Sequence, residues 1–385
     1  MIILALNSGS SSFKFGLYRV EALQAYELLA QSIPNASTAQ AVASINELLA
    51  KPGVPTPDAI GHRIVHGGPA LRQHCLLDAL VIQQLEAAVP FAPLHMPAAL
   101  WFIRFAQEQF PGLPQVACFD TTFHAGLPDV ARILPIPQEL RSAGIQRYGF
   151  HGLSCESIVH ELLRDLPDRI VIAHLGNGAS VTAVKNAKSI DTSMGLTPAG
   201  GVIMSTRSGD LDPGVLLYLL REKQFDAVKL ADLVDHKSGL LAISGISGDL
   251  RHLHEAAFHN DDARLAIQMF CYSVGKQIAA MIAALDGIDL LVFTGGIGEN
   301  DAMVRAAICG HLSWIGVNLD EVRNQSASQL INADSSRCIV RVIASQEDEQ
   351  IARHTFALAT EVTRSQGDSS DPRNMTTAKD VLWQH

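Results

Sequence analysis

Two arginines, an aspartate and a histidine stand in surroundings where charge is costly. HRIVHGG (62–68) sets Arg63 and His66 inside an apolar run, and STRSGD (205–210) sets Arg207 among small residues. FDTTFH (119–124) and RYGFHGLS (147–154) each hold one ionisable group, Asp120 and His151, between apolar neighbours. Arginine is rarely buried without a partner. Taken singly, each guanidinium fits a structural ion pair and the histidine fits a hydrogen-bonded core position. Two arginines in glycine-rich surroundings favour a bound anion instead. Phosphoryl transfer asks for such a set, because its transition state spreads charge over equatorial oxygens and needs mainly positioned cations and donors. An ion pair at about 4 Å in an effective dielectric of 20 is worth about 4 kcal/mol, so these groups could supply a large share of the stabilisation.

A phosphate also needs a cradle. Three times a short apolar run ends in a glycine-rich polar turn: LALNSGSSS around Asn7, IVIAHLGNGAS around Asn177 and DLLVFTGGIGEN around Gly296. Backbone N–H groups of such turns can hold an anion, with Ser10, Ser12 and Lys14 as added donors. Asn7 directly follows an apolar run, where its amide oxygen can hold a metal-bound water; asparagine is equally an ordinary turn residue. No window satisfies G-x-x-x-x-G-K-[ST]: Gly275-Lys276 is followed by Gln277 inside a helical pattern. GGIGEN lacks the third glycine of the dinucleotide fingerprint. A P-loop nucleotidase and a Rossmann dehydrogenase are both disfavoured.

The elements that position these loops follow from periodicity. After the first two turns the chain returns to alternation, Phe13/Phe15/Leu17 and Val181/Ala183, which predicts two strand-turn-strand hairpins; after the third, AMVRAAICGHL runs at helical spacing. Two copies of one unit predict a duplicated α/β chain with its ligand between the halves, at the mouths of the sheets. A helix is expected over 154–165, with Ser154 as cap, Glu156 suiting the N-terminal dipole, and Ile158, Leu162 and Leu163 on one face until Pro167. A longer one is expected over 263–285. From Ser365 onward the apolar period is lost, which predicts a flexible tail.

Composition narrows the function classes. With 385 residues, 48% of them hydrophobic and 18% charged, the chain can fill two domain cores and is not disordered. A formal net charge of -10 opposes broad contact with a nucleic-acid backbone. Cys75, Cys118, Cys155, Cys271, Cys309 and Cys338 include no C-x-x-C pair, so reduced core thiols are expected. The apolar start is too short for a signal peptide and has no basic residues before it. The longest apolar region, 278–293, is broken by Asp286, Gly287 and Asp289 and reads as a helix followed by a strand. A cytoplasmic location without membrane contact is the expectation.

In order, LNSGSSSFKF, HRIVHGG, PLHMP, FDTTFH, RYGFHGLS, HLGNGAS, DTSMGLTPAGGVIMSTRSGD, SGLLAISGISGDLR and FTGGIGEN resemble the acetate kinase family of acyl kinases, within the superfamily of sugar kinases, actin and heat-shock chaperone ATPases. The resemblance spans roughly the first 350 residues. It implies an α/β fold of duplicated ribonuclease H-like (actin-like ATPase) domains with a nucleotide cleft between them: 1–124, completed by a C-terminal helix at about 350–365, and 125–349, carrying nucleotide binding and dimerisation, with 366–385 as tail. It implies reversible, in-line transfer of the ATP γ-phosphoryl group to acetate, giving acetyl phosphate and ADP, by a homodimer.

Carried over by motif, Asn7 and Glu347 would hold Mg²⁺, with Mn²⁺ possible in its place; because SQEDEQIAR departs from the usual T-N-E-E-L stretch, Asp348 and Glu349 stay open as ligands. Lys14, His174, Leu175, Gly176, Asn177, Gly178, Asp249, Leu250, Arg251, Gly296, Ile297, Gly298, Glu299 and Asn300 would surround ATP. Arg63 would bind the acyl substrate, and His151 and Arg207 would stabilise the transition state. Asp120 matches the residue assigned as acid/base, yet a carboxylate nucleophile has no proton to lose, so orientation of Arg63 or the metal is expected of it. Val65, Leu94, Phe150 and Pro198 match the acyl pocket, and Val65 favours acetate, since relatives preferring propionate tend to carry a smaller residue there. One methylene is worth about 1–3 kcal/mol, so propionate is expected as a poorer substrate. Met96 replaces a usual Asn, and Thr122 a common Ala. The alternatives are a propionate or butyrate kinase of the same family, a sugar kinase, which would need polar groups for hydroxyls, and an ATP-driven switch, which has no need of Arg63, His151 and Arg207 at one point.

Overall fold

The computed structural model describes residues 1–9, 12–22, 24–34, 37–326 and 328–367. Ser10 and positions 368–385 of the expected tail lie outside the described residues. Two sheets organise the chain. The first holds β1 (Ile2–Ser8), β2 (Ser12–Glu21), β3 (Gln24–Pro34), β4 (Ala59–Ile64), β5 (Cys75–Leu76) and β6 (Gln115–Phe119), in the order β3-β2-β1-β4-β6-β5. The second holds β7 (Arg169–Leu175), β8 (Ala179–Lys185), β9 (Lys188–Thr192), β10 (Leu290–Thr294) and β11 (Ile339–Val342), in the order β11-β10-β7-β8-β9.

The duplication is explicit in the pairing. β1, β2 and β3 form an antiparallel meander, and β4 then β6 add in parallel on the far side of β1. β7, β8 and β9 repeat the meander, with β10 then β11 added in parallel beyond β7. This repeated topology is the duplicated ribonuclease H-like, actin-like ATPase fold, with the cleft between its halves. The central strands β1 and β7 are apolar almost throughout because both of their faces are covered. Asn7 pairs with Lys14 across the first hairpin and His174 with Ser180 across the second, so equivalent turns reach the cleft from both lobes.

The chain closes on itself at the end. The helix Glu347–Gly367 lays Ile351, Ala352 and Ala359 into a core with Ile3, Ala5, Val20, Val116 and Cys118 of the first sheet. It starts at Glu347, earlier than the expected 350, and runs two residues past 365. The long helix Asp261–Ala284 is apolar and long enough to cross a membrane by composition, yet it lines the core of the second lobe with Ala266, Phe270, Val274 and Ile278. All six cysteines are free thiols and five are buried.

Two local expectations are corrected. The helix expected from Ser154 begins at Gly152 with His151 as N-cap and ends at Glu161; Ser154 is internal, and Glu156 faces a half-buried pair of histidines. GGIGEN, expected as a glycine-rich polar turn before a helix, is itself a short helix, Gly295–Asn300. Gly295 is required there, since its φ is +78° and an added Cβ would stand 2.7 Å from the Leu175 carbonyl oxygen.

Candidate active site

Asn7, Arg63 and Asp120 sit at or just beyond the carboxyl ends of the parallel strands β1, β4 and β6; His174, Gly295 and Ser345 hold the corresponding places after β7, β10 and β11. Carboxyl ends of parallel strands are where open α/β sheets bind ligands. Between the two sets lies a cleft of about 920 Å³. Lining it are Asn7, Ser12, Lys14, Arg63, Val65, Asp120, Phe150, His151, His174, Gly176, Asn177, Gly178, Pro198, Arg207, Asp249, Leu250, Arg251, Gly296, Ile297, Glu299, Asn300 and Glu347.

Three residues carried over to the acyl and ATP sites are not on that lining, nor is Asp348, the alternative metal ligand. Leu94 is 47% exposed on the turn before the helix Met96–Gln109, and its neighbour His95 faces the cleft instead. Leu175 is buried in the second sheet. Gly298 lies behind the glycine-rich helix, where its carbonyl accepts a hydrogen bond from Arg305. Met96 is fully buried in the core, so its departure from Asn does not enter the cleft.

On the first lobe the charges are interlocked. Arg63 donates through Nε and Nη2 to Asp120 Oδ2 at 3.1 and 2.7 Å, and through Nη1 to Asn7 Oδ1 at 3.1 Å, with Glu347 Oε2 3.9 Å away. Asn7 Nδ2 donates to Glu347 Oε2 at 3.1 Å and to Asp348 Oδ1 at 2.6 Å. Burial alone would lower the Arg63 pKa, but Asp120 and Glu347 more than offset it and hold the guanidinium charged. Burial would raise Glu347, and Arg63, His174 and Lys14 pull it below the usual carboxylate range. Asp348, buried beside Glu347, is pushed up. Glu349 turns away to Arg353 at 2.8 Å.

The second lobe brings the histidines. His151 is held in the left-handed region, φ 58° and ψ 28°, a conformation that costs a non-glycine residue about 1 kcal/mol or more. Its Nδ1 lies 2.9 Å from Ser180 Oγ, and its ring stacks on His174 at 4.2 Å. Burial, then His174, Arg63 and Arg207, push its pKa well below 6.5, so at neutral pH it offers the cleft an uncharged imidazole. Arg207 donates through Nη1 to the Pro198 carbonyl at 3.2 Å. A Cβ on Gly178 would stand 3.1 Å from Arg207 Nη1 and 3.3 Å from His151 Nε2, so the three meet at one point and the glycine leaves the room between them. Beside them, Val65, Phe150 and Pro198 make an apolar corner.

Sequence reasoning missed His95, His254, Asp301 and Ser345, all on the lining. PLHMP contained the signal for His95, a histidine among apolar residues, and burial next to Arg207 and Arg63 lowers its pKa to about 3. His254 and Asp301 pair at 2.7 Å across 47 residues, which no local pattern shows.

A divalent cation fits the first-lobe cluster. Asn7, Glu347 and Asp348 offer hard oxygen donors, and Asp120 Oδ1, buried with no hydrogen-bond partner among the described residues, is free to face an ion or its water.

Comparison with known proteins agrees with the geometry. The Acetokinase family model matches residues 23–353. An acetate kinase of Nitrobacter hamburgensis is 40% identical over 92% of this chain and 96% of its own length, and an acetate kinase of Neisseria meningitidis serogroup B is 45% identical over 78% of each. Among solved structures, a propionate kinase from Francisella tularensis superposes with a TM-score of 0.85 at 36% identity, and the acetate kinase of Porphyromonas gingivalis with 0.81 at 34%; each match covers 93% of this chain and 99% of the other. With the repeated sheets, the facing strand ends and a family match over most of its length, the chain belongs to the acetokinase family.

Proposed function

We propose that the chain reversibly transfers the γ-phosphoryl group of ATP to acetate, in line, giving acetyl phosphate and ADP. The observation that carries this is the convergence of Arg63, His151 and Arg207 on the apolar corner of Val65, Phe150 and Pro198. A small carboxylate fits there: its methyl group against the corner, its charge toward Arg63. Asp120 holds Arg63 through Nε and Nη2 and Asn7 Oδ1 holds it through Nη1, so the second N–H of each terminal nitrogen is left for the acyl carboxylate. The nucleophile is an anion and needs no base, so Asp120 acts by orienting Arg63. His151 donates from Nε2 as a neutral imidazole, and Arg207, tethered by the Pro198 carbonyl, faces the equatorial oxygens; both act where charge spreads in transfer. Lys14, the Gly176–Gly178 turn and the start of the Gly295–Asn300 helix surround the nucleotide phosphates. Asn7, Glu347 and Asp348 would hold Mg²⁺, which when bound neutralises charge on the β- and γ-phosphate oxygens. Closure of the lobes excludes water and so limits futile hydrolysis.

Propionate is proposed as a second, poorer substrate. A propionate kinase is among the similar structures, and Leu94 does not close the corner, since it is exposed and off the lining. Rates of ADP release with acetate, propionate, butyrate and glycerol test the assignment: acetate should give the highest kcat/KM and glycerol none, while glycerol turnover would point to a sugar kinase. A homodimer through the second lobe belongs to the same proposal, supported by Leu265, Met269 and Tyr272 exposed along one face of the helix Asp261–Ala284. Sedimentation velocity reads the mass.

A further inference from the structure

Away from the cleft lining, His74, Glu156 and His354 meet from the turn before β5, the helix Gly152–Glu161 and the final helix. Glu156 Oε2 lies 2.6 Å from His354 Nε2 and Oε1 lies 3.5 Å from His74 Nε2, with the imidazole centroids 3.9 Å apart. The Glu156 side chain is only 14% exposed. Burial alone would raise its carboxyl, but the two imidazoles hold it far below the usual carboxylate range.

Two histidines and a carboxylate are also the makings of a divalent-metal centre. The tautomers speak against one. The Phe119 backbone N–H donates to His74 Nδ1 at 3.0 Å, so the proton of the neutral ring sits on Nε2, the nitrogen turned to Glu156. A metal there would need an imidazolate. His354 Nε2 lies 2.6 Å from the carboxylate and 3.0 Å from Gln350 Nε2, and with its proton on Nε2 it donates to Glu156. Glu156 therefore accepts from His354, while His74 Nε2 faces its Oε1 at 3.5 Å without a hydrogen-bond partner among the described residues.

Each member leads back to the cleft. Phe119 precedes Asp120. Glu156 stands on the helix capped by His151, whose Ser154 and Ser157 receive Ser345 Oγ–H at 2.9 Å and Gln346 N–H at 3.2 Å, the two residues before Glu347. His354 lies seven residues beyond Glu347 on the final helix, so the two share a face about 10 Å apart. We propose that His74, Glu156 and His354 are positioning residues: a half-buried clamp that sets the height of the final helix, and with it the placement of Glu347 and Asp348, and thereby controls affinity for the metal–nucleotide complex. The proposal rests on the assignment of Glu347 and Asp348 to the metal.

Glu156→Gln keeps the shape and removes the charge. In calorimetric titrations with Mg²⁺·ADP, Glu156→Gln and His354→Ala should bind about tenfold or more weakly, with kcat at saturating Mg²⁺·ATP within about threefold of the parent. His354→Gln returns an amide N–H to the place of Nε2–H and should recover most of the affinity; this pair keeps the test valid where His354→Ala fails to fold. Unchanged Mg²⁺·ADP affinity in folded Glu156→Gln would overturn the proposal, as would a fall in kcat at unchanged affinity. Stoichiometric Zn²⁺ binding to the parent, abolished by Glu156→Gln, would overturn it in favour of a metal centre. A parent that binds Mg²⁺·ADP but forms no acyl phosphate from acetate would defeat the acyl-kinase assignment instead, leaving the clamp comparison intact.

Discussion

Arg207 carries the heaviest demand among single residues. It is buried, its Nη1 is held by the Pro198 carbonyl, and it meets His151 across Gly178, the placement of a guanidinium that acts on transferring phosphate. Arg207→Ala should lower kcat roughly a thousandfold while circular dichroism stays native; turnover near the parent's would remove it from the mechanism. Val65 belongs to the same scale. Val65→Ala enlarges the apolar corner and should narrow the acetate-to-propionate ratio of kcat/KM about tenfold, read from initial rates with both acids. The residues that the sequence made conspicuous, Asn7, Arg63, Asp120, His151, His174 and Arg207, are polar groups at the ends of apolar runs, and the structure brings all of them to one cleft. Leu94 and His95 show where that signal ends: at a turn, residue type does not say which of two neighbours faces inward.

Among elements, the hairpins β1–β2 and β7–β8 were legible because alternation after a glycine-rich turn has one simple solution. The start of the helix Gly152–Glu161 was not, because its cap is a histidine in a left-handed conformation that leaves no motif, while Ser154 looked like a cap and instead bonds His174 Nδ1 at 2.8 Å. Contacts that tie elements over long separations were equally hidden, His354 to Glu156 across 198 residues among them. The pair His254–Asp301 joins the helix Leu250–Ala256 to the cap of the helix Ala302–Gly310. Its hydrogen bond with Asp301 raises His254 above 6.5, and His254 helps to hold Asp301 below its ordinary value against burial. The stability this gives is full below the unfolded value of His254 and is lost as pH rises through its raised folded value; on the acid side it is lost as Asp301 protonates. His254→Gln should therefore melt below the parent by roughly 2 °C at pH 6 and by less at pH 8.5, in paired thermal scans.

At the scale of the whole molecule, the duplication was visible in the two hairpins, but the parallel neighbours β4, β6, β10 and β11 come from sequence too distant to be paired by pattern. The return of the final helix to the first sheet entered only through the family resemblance. Burial of histidines has a global consequence. His62, His66, His124 and His174 are lowered to about 4 and His95 to about 3, each chiefly by desolvation. The unfolded chain takes up these protons first, so stability is full above about pH 6.5 and falls toward pH 4, by up to about 1.4 kcal/mol per pH unit for each ring. Acid unfolding should be complete above about pH 4 in fluorescence and circular dichroism; a chain still native at pH 3.5 would contradict the lowered values of these rings. The central claim concerns the acceptor, and one measurement reaches it directly: the chain is incubated with ATP, Mg²⁺ and acetate, and acyl phosphate is trapped with hydroxylamine while ADP is counted. Acetohydroxamate equal to ADP is the predicted result. ADP without hydroxamate, from acetate or any other short carboxylate, would contradict it.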